Sequence, residues 1–337
     1  MKAMILAAGY GTRLRPVTYT LPKLMMPLCG RPLIGWAMDS LLGAGIHDFI
    51  VNLHHLPEPI ERYLRERYAA EGRFEFSYEP EILGTGGGVR KVRKLLEQDP
   101  EFFLVNGDTA QFPPYDALRA ARRDALAALT LRHPPRGDRF TPVYFDDGLV
   151  TGFGKGASEA LMFSGAHLIS RRLFDYLPDR PFSGIVDDVY QPLIDTGREK
   201  IAGVVDDGLW FDIGTPRRYA DASGTLLSLT VSGQLAPPRG TRVDGDSLID
   251  DTAIVNGTMT RSIAGRRSVV EGTLRDSVVW DDCRIAPGVV LDSCIVAHGV
   301  EIAWPIDLRN VLICRDNEAI PREGEHRFEH GLVLRDI

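Results

Sequence analysis

The residue types best suited to chemistry crowd the start of the chain, in LAAGYGTRLRPVTYTLPKLMMPL, residues 6–28. A short apolar run stops at Gly9, and Gly11, Thr12, Arg13 and, past a loop, Lys23 follow. A dinucleotide fingerprint would need a third glycine where Leu14 stands, and a Walker A loop would need a G-K-[ST] ending that is absent. The pattern that remains is a different phosphate cradle. Gly9 and Gly11 let the backbone turn sharply and present N–H groups to a polyphosphate. Arg13 adds a planar, permanently charged fork that matches phosphate oxygens, and Lys23, braced by Pro22, adds a point charge.

Three further stretches carry chemical promise. In YEPEILGTGGGVRKV, Gly84, Gly86, Gly87 and Gly88 open a basic helix. Each glycine in a regular element costs about 0.5–1 kcal/mol against alanine, which close approach to a ligand would justify, and a helix N-terminus favours an anion. In FFLVNGDT a buried strand ends in Asn106, Gly107 and Asp108. An acid at the carboxyl end of a parallel strand faces the ligand crevice, and its hard oxygens suit Mg2+; a turn or helix-cap role is the alternative for a lone Asp. LWFDIGTPRRY repeats the arrangement with Asp212 and Gly214.

The elements that must position these residues fall into two groups. KAMILAA, DFIVNL, FEFSYE and FFLVNGD read as strands, and LIGWAMDSLLGAG, PIERYLRERYAA and VRKVRKLLEQ read as helices by their apolar spacing. Strand–helix alternation predicts an α/β fold, a Rossmann-like mixed and mainly parallel sheet, whose ligands lie beyond the carboxyl ends of the strands. After GQLAPPRGTR the pattern changes: SLID at Ser247, SIAG at Ser262, SVVW at Ser277, SCIV at Ser293 and NVLI at Asn310 start 15, 15, 16 and 17 residues apart. A short fixed period of strands and turns predicts a solenoid, and a coil of this length suits a short three-sided parallel β-helix. The polar tail NEAIPREGEHRFEHG is placed to cap its last coil. The expected domains are residues 1–232 and 233–337.

Bulk properties narrow the classes. The chain has 337 residues and a formal charge of −7, which argues against a broad nucleic-acid footprint. No apolar run reaches the ~18 residues of a membrane span, and no basic n-region precedes a signal-like stretch, so a cytoplasmic protein without membrane contact is expected. Cys29, Cys283, Cys294 and Cys314 have neither CxxC spacing nor a dense framework, and fit buried, idle thiols in a reducing compartment.

With these motifs in hand, residues 1–230 resemble the sugar-1-phosphate nucleotidyltransferases. LAAGYGTRLRP with PK resembles the family signature, NGD its metal-binding strand end and FDIGTP its second metal acid. The solenoid resembles the left-handed β-helix that many members carry. GTGGGV and LVNGD are most similar to N-acetylmuramate-1-phosphate uridylyltransferases, with heptose- and mannose-1-phosphate guanylyltransferases close competitors. The resemblance implies nucleotidyl transfer from a nucleoside triphosphate, UTP or GTP, to a sugar 1-phosphate, with pyrophosphate leaving. It implies Arg13, Lys23 and Asp108 as catalytic residues, and Mg2+ on Asp108 and Asp212. It implies nucleotide contacts at Ala8, Gly9, Gly11, Thr12, Arg13, Glu79, Gly86, Gly87 and Asn106.

The chain departs from the family where PKL, at Leu24, replaces PKP, and where GFGKGAS is the nearest counterpart of EKP. Lys155 is therefore a sugar-phosphate candidate beside Gly165 in LMFSGAHLIS and Asp187 in FSGIVDDVYQPLI, with Asp187 and Asp188 equally suited to capping a helix. Arg136 and Arg139 would suit the carboxylate of a muramyl substrate. His298, on a recurring solenoid turn, reads as exposed or structural rather than as a general base. The solenoid suits an interdomain role or assembly into a homo-oligomer. A rival reading is a non-catalytic relative that binds nucleotide sugar; retention of Arg13, Lys23, Asp108 and Asp212 favours catalysis.

Overall fold

A computed structural model describes residues 1–135, 140–154, 161–322, 324 and 326–337. The chain forms two compact units, each discontinuous in sequence: Met1–Tyr10 with Ile34–Trp210, and Gly11–Leu33 with Phe211–Ile337. The segment carrying Arg13 and Lys23 therefore folds with the C-terminal part of the chain.

The first unit is built on one sheet that has nine strands among the described residues: β1 (Lys2–Leu6), β2 (Asp48–Leu53), β3 (Arg73–Tyr78), β4 (Glu101–Asn106), β5 (Ala127–Arg132), β6 (Pro142–Asp146), β7 (Leu149–Phe153), β8 (Leu161–Ser170) and β9 (Ile201–Val205). They lie in the order β3-β2-β1-β4-β8-β5-β9-β7-β6. Strands β3, β2, β1 and β4 are parallel, as the strand–helix alternation predicts. Strand β8 runs antiparallel to β4 and β5, and β7 antiparallel to β9 and β6, so the far half is mixed. Parallel β1 is buried on both faces: Ala3, Met4 and Ile5 are completely inaccessible, as the apolar KAMIL run requires. The expected helices appear as α1 (Leu33–Gly43) and α2 (Pro57–Tyr68). The third begins earlier than its apolar spacing suggested. The glycines themselves are helical in α3 (Gly84–Lys91), and a break at Val92 separates a further turn, Arg93–Leu96.

The second unit contains the solenoid. Strands stack in three sheets, one per side, in parallel ladders: Leu248 on Ile263, Val278, Ile295 and Leu312, Ile254 on Val269 and Arg284, and Thr258 on Thr273 and Val290. This is the short three-sided parallel β-helix that the period predicts, consistent with the left-handed form that the family resemblance implies. Its serines face inward and satisfy the coil above. Ser247 Oγ accepts from Ser262 N at 3.1 Å, Ser262 Oγ from Ser277 N at 3.1 Å, and Ser277 Oγ from Cys294 N at 3.0 Å. The fourth ladder position is thus Cys294 and not Ser293, which takes a left-handed φ of 55° instead. The coils that start at Ser277 and Cys294 are each two residues longer than the 15-residue coils before them, so both later starts slip by one residue: Cys294 stands where Ser293 is expected, and Val311 where Asn310 is. Antiparallel strands close both ends of the first sheet: Thr241–Asp244 at the start, and the hairpin Arg327–Glu329 with Leu332–Asp336 at the end. Closing edges in this way protects an otherwise open ladder. All four cysteines are free and buried. Burial pushes Cys29, Cys283 and Cys314 up to about 12 and Cys294 up to about 11, so none is a thiolate near neutrality. Among the described residues, no helix is long and apolar enough to cross a membrane.

His167 of β8 is buried in the first unit, 2% exposed, with Nδ1 3.1 Å from Tyr190 Oη. Burial lowers its pKa from 6.5 to about 3. The native chain therefore stays unprotonated where the unfolded chain, titrating near pH 6.5, has taken up a proton. This contribution to stability is present above pH ~6.5 and is lost as pH falls toward about 3. The unfolding midpoint should fall between pH 7 and 4 more steeply in the wild type than in His167→Gln. Equal slopes in thermal melts across that range would show that His167 does not set acid stability.

Candidate active site

In the first unit, β1 delivers its carboxyl end between β2 and β4, and a chain of buried hydrogen bonds fixes the turn that follows. Ala7 N donates to Asn52 Oδ1 at 2.8 Å, and Asn52 Nδ2 donates to Glu79 Oε1 at 2.8 Å. Glu79 Oε2 then accepts from Leu83 N at 3.0 Å. Asn52 and Glu79 are each 3% exposed, so this link ties the first strand end to the start of α3 through groups shielded from water. Ala8 is buried, whereas Gly9 is exposed and a Cβ there would meet nothing within 4 Å. Tyr10, also exposed, bonds His54 Nε2 through its hydroxyl at 2.8 Å.

The glycines of α3 have a packing reason beside the expected ligand contact. Ser183 O accepts from Gly86 N at 2.8 Å and from Gly87 N at 3.3 Å. A Cβ on Gly84 or Gly86 would collide with Ser183, and one on Gly87 with Pro181 O. Two N–H groups at this helix start are therefore already bonded within the protein. A fourth glycine, Gly88, leaves room for Glu79, whose Oε1 would stand 3.1 Å from an added Cβ.

Strand β4 ends in half-buried Asn106, and Asp108 follows in the turn. Gly165 of β8 takes φ 107° beside a register shift in the β8–β5 ladder. An added Cβ there would stand 2.9 Å from Asn106 Nδ2. Two residues singled out from distant motifs, Asn106 and Gly165, are thus in contact. Asp187 is exposed on a π-turn, Val186–Tyr190. Asp188 closes that turn: it accepts from Gly184 N at 2.7 Å and pairs with Arg180 at 2.5 Å. The Gly184 N–H, and then Arg180, hold its carboxyl below the usual carboxylate range. Neither acid is the N-cap of this turn, which starts after Ile185 without a side-chain cap bond; Asp188 instead bonds back to Gly184. Lys155, Arg136 and Arg139 lie outside the described residues.

In the second unit a cationic cluster surrounds one carboxylate. Gly11 turns the chain with φ 62°, and its carbonyl accepts from Leu14 N and from Thr18 Oγ1, each at 2.9 Å. This launches the single 3-10 turn Thr12–Leu14, from which Arg13 projects in an exposed position. Lys23 is only 6% exposed, and its Nζ lies 3.9 Å from Asp212 Oδ1. Asp212 Oδ2 accepts from Arg218 Nη1. Gly214 lets the groups close in: an added Cβ would stand 3.0 Å from both Arg13 Nη2 and Asp212 Oδ2.

Arg218 was not foreseen. It lies in the first turn of the helix Pro216–Val231, capped by Thr215 Oγ1, which accepts from Arg218 N at 3.3 Å. The signal is present in the sequence: Thr-Pro marks N-cap and N1, which fixes Arg218 at N3, next to the loop holding Asp212. Asn52 was also missed. Its mark is a polar residue ending the apolar strand DFIVNL.

Three cations held about one acid leave an excess of positive charge, an arrangement suited to a polyphosphate. Gly11→Ala should disrupt it. The new Cβ would meet Lys23 Cβ and Thr18 Cγ2 at 3.0 Å on a left-handed backbone. A loss of about 1–3 kcal/mol of stability is expected, with weakened triphosphate binding. Denaturant unfolding and calorimetric titration read the two effects, and wild-type values in both would refute the steric argument.

Comparison with known proteins agrees with this picture. The nucleotidyl transferase family model matches residues 2–228. A mannose-1-phosphate guanylyltransferase of Mycobacterium tuberculosis is 28% identical over 302 residues, 86% of this chain and 82% of that one. The mannose-1-phosphate guanylyltransferase catalytic subunit beta of Danio rerio is 28% identical across 96% of this chain and 93% of its own. A UTP–glucose-1-phosphate uridylyltransferase of Synechocystis is 27% identical across 88% of this chain and 82% of its own. The crystal structure of HddC from Yersinia pseudotuberculosis complexed with GMP-PN shares the fold, with a TM-score of 0.58 at 22% identity over 67% of this chain and 99% of that one. With the family model spanning some two-thirds of its length, this chain belongs to the nucleotidyl transferase family and is a nucleotidyltransferase of the sugar-1-phosphate type.

Proposed function

We propose that the protein transfers a nucleotidyl group from GTP to a hexose 1-phosphate of the mannose type. The observation that carries this reading is the cluster of Arg13, Lys23 and Arg218 around Asp212. The choice of GTP rests on the guanylyltransferases, one of which aligns along nearly the whole chain. The uridylyltransferase relative supports UTP as the second reading.

In this reaction a sugar-phosphate oxygen attacks the α-phosphorus and forms the new P–O bond. The bond from the α-phosphorus to the bridging oxygen breaks, and its electron pair leaves with pyrophosphate. Both reactants are anions. Two unit charges at 4 Å repel by about 1 kcal/mol in water and about 4 kcal/mol at an effective dielectric near 20. Arg13 is assigned to the α-phosphate and the departing pyrophosphate. Lys23, held by its carboxylate partner, is assigned to a neighbouring phosphate. Such a reaction needs little covalent help from the protein; positioning and charge stabilisation carry the rate.

Asp108 and Asp212 are the proposed ligands of Mg2+. Among the described residues no group of three or more His, Cys, Asp or Glu side chains could hold a metal. Carboxylate oxygens are the donor type that suits Mg2+, which commonly binds through one or two carboxylates together with substrate phosphates and water. When bound, Mg2+ would neutralise charge on the triphosphate oxygens. The nucleotide is assigned to Ala8, Gly9, Gly11, Thr12, Glu79, Gly86, Gly87 and Asn106, and the sugar phosphate to Gly165 and Asp187, with Lys155 retained as a candidate.

The test is pyrophosphate release with Mg2+ across GTP, UTP, ATP, CTP and dTTP, each against mannose, glucose, heptose and N-acetylmuramate 1-phosphates. Release with GTP and mannose 1-phosphate is expected, falling about 100-fold or more in Asp108→Ala and in Arg13→Ala. Release with UTP alone would transfer the assignment to uridylyl chemistry. Silence across the whole panel would sink the reading.

A further inference from the structure

We infer that Arg335, in the C-terminal strand, is a positioning residue that sets Arg13 for catalysis. The inference rests on the nucleotidyl-transfer reading above. Arg335 Nη1 donates to Arg13 O at 3.0 Å and also to Arg15 O. Arg13 lies within the 3-10 turn Thr12–Leu14 and Arg15 is the residue that ends it, so one guanidinium grips the peptide backbone on both sides of Leu14. Within this single turn Leu14 N donates to Gly11 O and Arg15 N to Thr12 O. A turn so short has little intrinsic stability, and its carbonyls need external donors.

The strand that carries Arg335 is itself firmly placed. Leu332–Asp336 pairs antiparallel with Val311–Arg315, with Arg335 opposite Leu312, and also with Arg327–Glu329. Leu332, Val333 and Leu334 are buried. Arg335 is half-buried, so its charge–dipole bonds are partly shielded from solvent. The far end of the same loop is stitched to the solenoid as well. Trp280 Nε1 donates to Tyr219 Oη at 2.7 Å, and Tyr219 Oη donates to Pro27 O. The segment from Gly11 to Leu33 is therefore clamped near both ends by groups on or beside the coils. Arg335 acts at the end where Arg13 lies.

A positioning role predicts a specific kinetic pattern. Displacing a charge by about 1 Å in such a site costs about 100-fold in rate. Arg335→Ala should lower kcat by about 10- to 100-fold with KM for the triphosphate changed less than threefold, and Arg335→Lys should recover part of the loss. The decisive measurement is the cycle with Arg13→Ala. If Arg335 works through Arg13, the double variant should be no slower than Arg13→Ala alone. Multiplying losses, or full activity in Arg335→Ala, would overturn the proposal. Hydrogen exchange supplies a readout independent of turnover: the Leu14 and Arg15 amides should exchange at least tenfold faster in Arg335→Ala while β1 amides keep wild-type rates. Unchanged Leu14 and Arg15 exchange would overturn it as well. Silence of the wild type in the pyrophosphate assay would instead defeat the nucleotidyl-transfer reading, and the exchange result would still decide whether Arg335 holds the turn.

Discussion

The Asp212 carboxylate is the interaction on which the candidate chemistry depends. Lys23 and Arg218 both pair with it, and Arg13 lies against the neighbouring Gly214. Without the acid, cations gathered this closely would repel one another by several kcal/mol at an effective dielectric near 20. A phosphate ligand can supply that compensation only while it is bound. A built-in carboxylate supplies it in the free protein and so keeps the cations in place before substrate arrives, which is the requirement of electrostatic preorganisation. It is also the reason Gly214 is a glycine: the groups approach within 3.0 Å of where a side chain would begin.

That cluster has a consequence for how the chain is organised. Arg13 and Lys23 belong to a segment, Gly11–Leu33, that forms one compact unit with Phe211–Ile337. Strand β1, by contrast, belongs to the other unit, so the signature motif is cut between Tyr10 and Gly11. The glycine-rich motif therefore serves two purposes: its first half ends a buried strand, and its second half starts a cationic loop secured by Tyr219 and Arg335. A solenoid with an inward-facing ladder of serine and cysteine is stiff along its axis, since each coil bonds the next through backbone and side chain alike. A loop fastened to such a body inherits its rigidity.

Most of this organisation was legible in the sequence where one residue type had one physical use. The β1 run was readable because a strand buried on both faces must be apolar throughout, and the solenoid because its coils repeat. The fourth coil misled because Cys294 replaces serine in the ladder, and a period counted on polar residues follows Ser293 instead. The α3 glycines were ambiguous for a deeper reason. Close approach of a ligand and close approach of another backbone segment demand the same absent Cβ, and here Ser183 and Pro181 make that demand.

Arg218 and Arg335 were illegible for yet another reason: arginine is common on surfaces, and nothing local separates a solvated one from one that grips a carboxylate or a carbonyl. Their meaning is set by long-range folding, with Arg335 and Arg15 separated by 320 positions along the chain. Residues that do the chemistry must match the reactant, so their types betray them. Residues that place those groups need only reach a backbone carbonyl or a fixed acid, and any long cationic side chain at the right point in space would serve. The candidate catalytic set is therefore written in motifs, whereas the set proposed to position it is written in topology, and only the fold makes it readable.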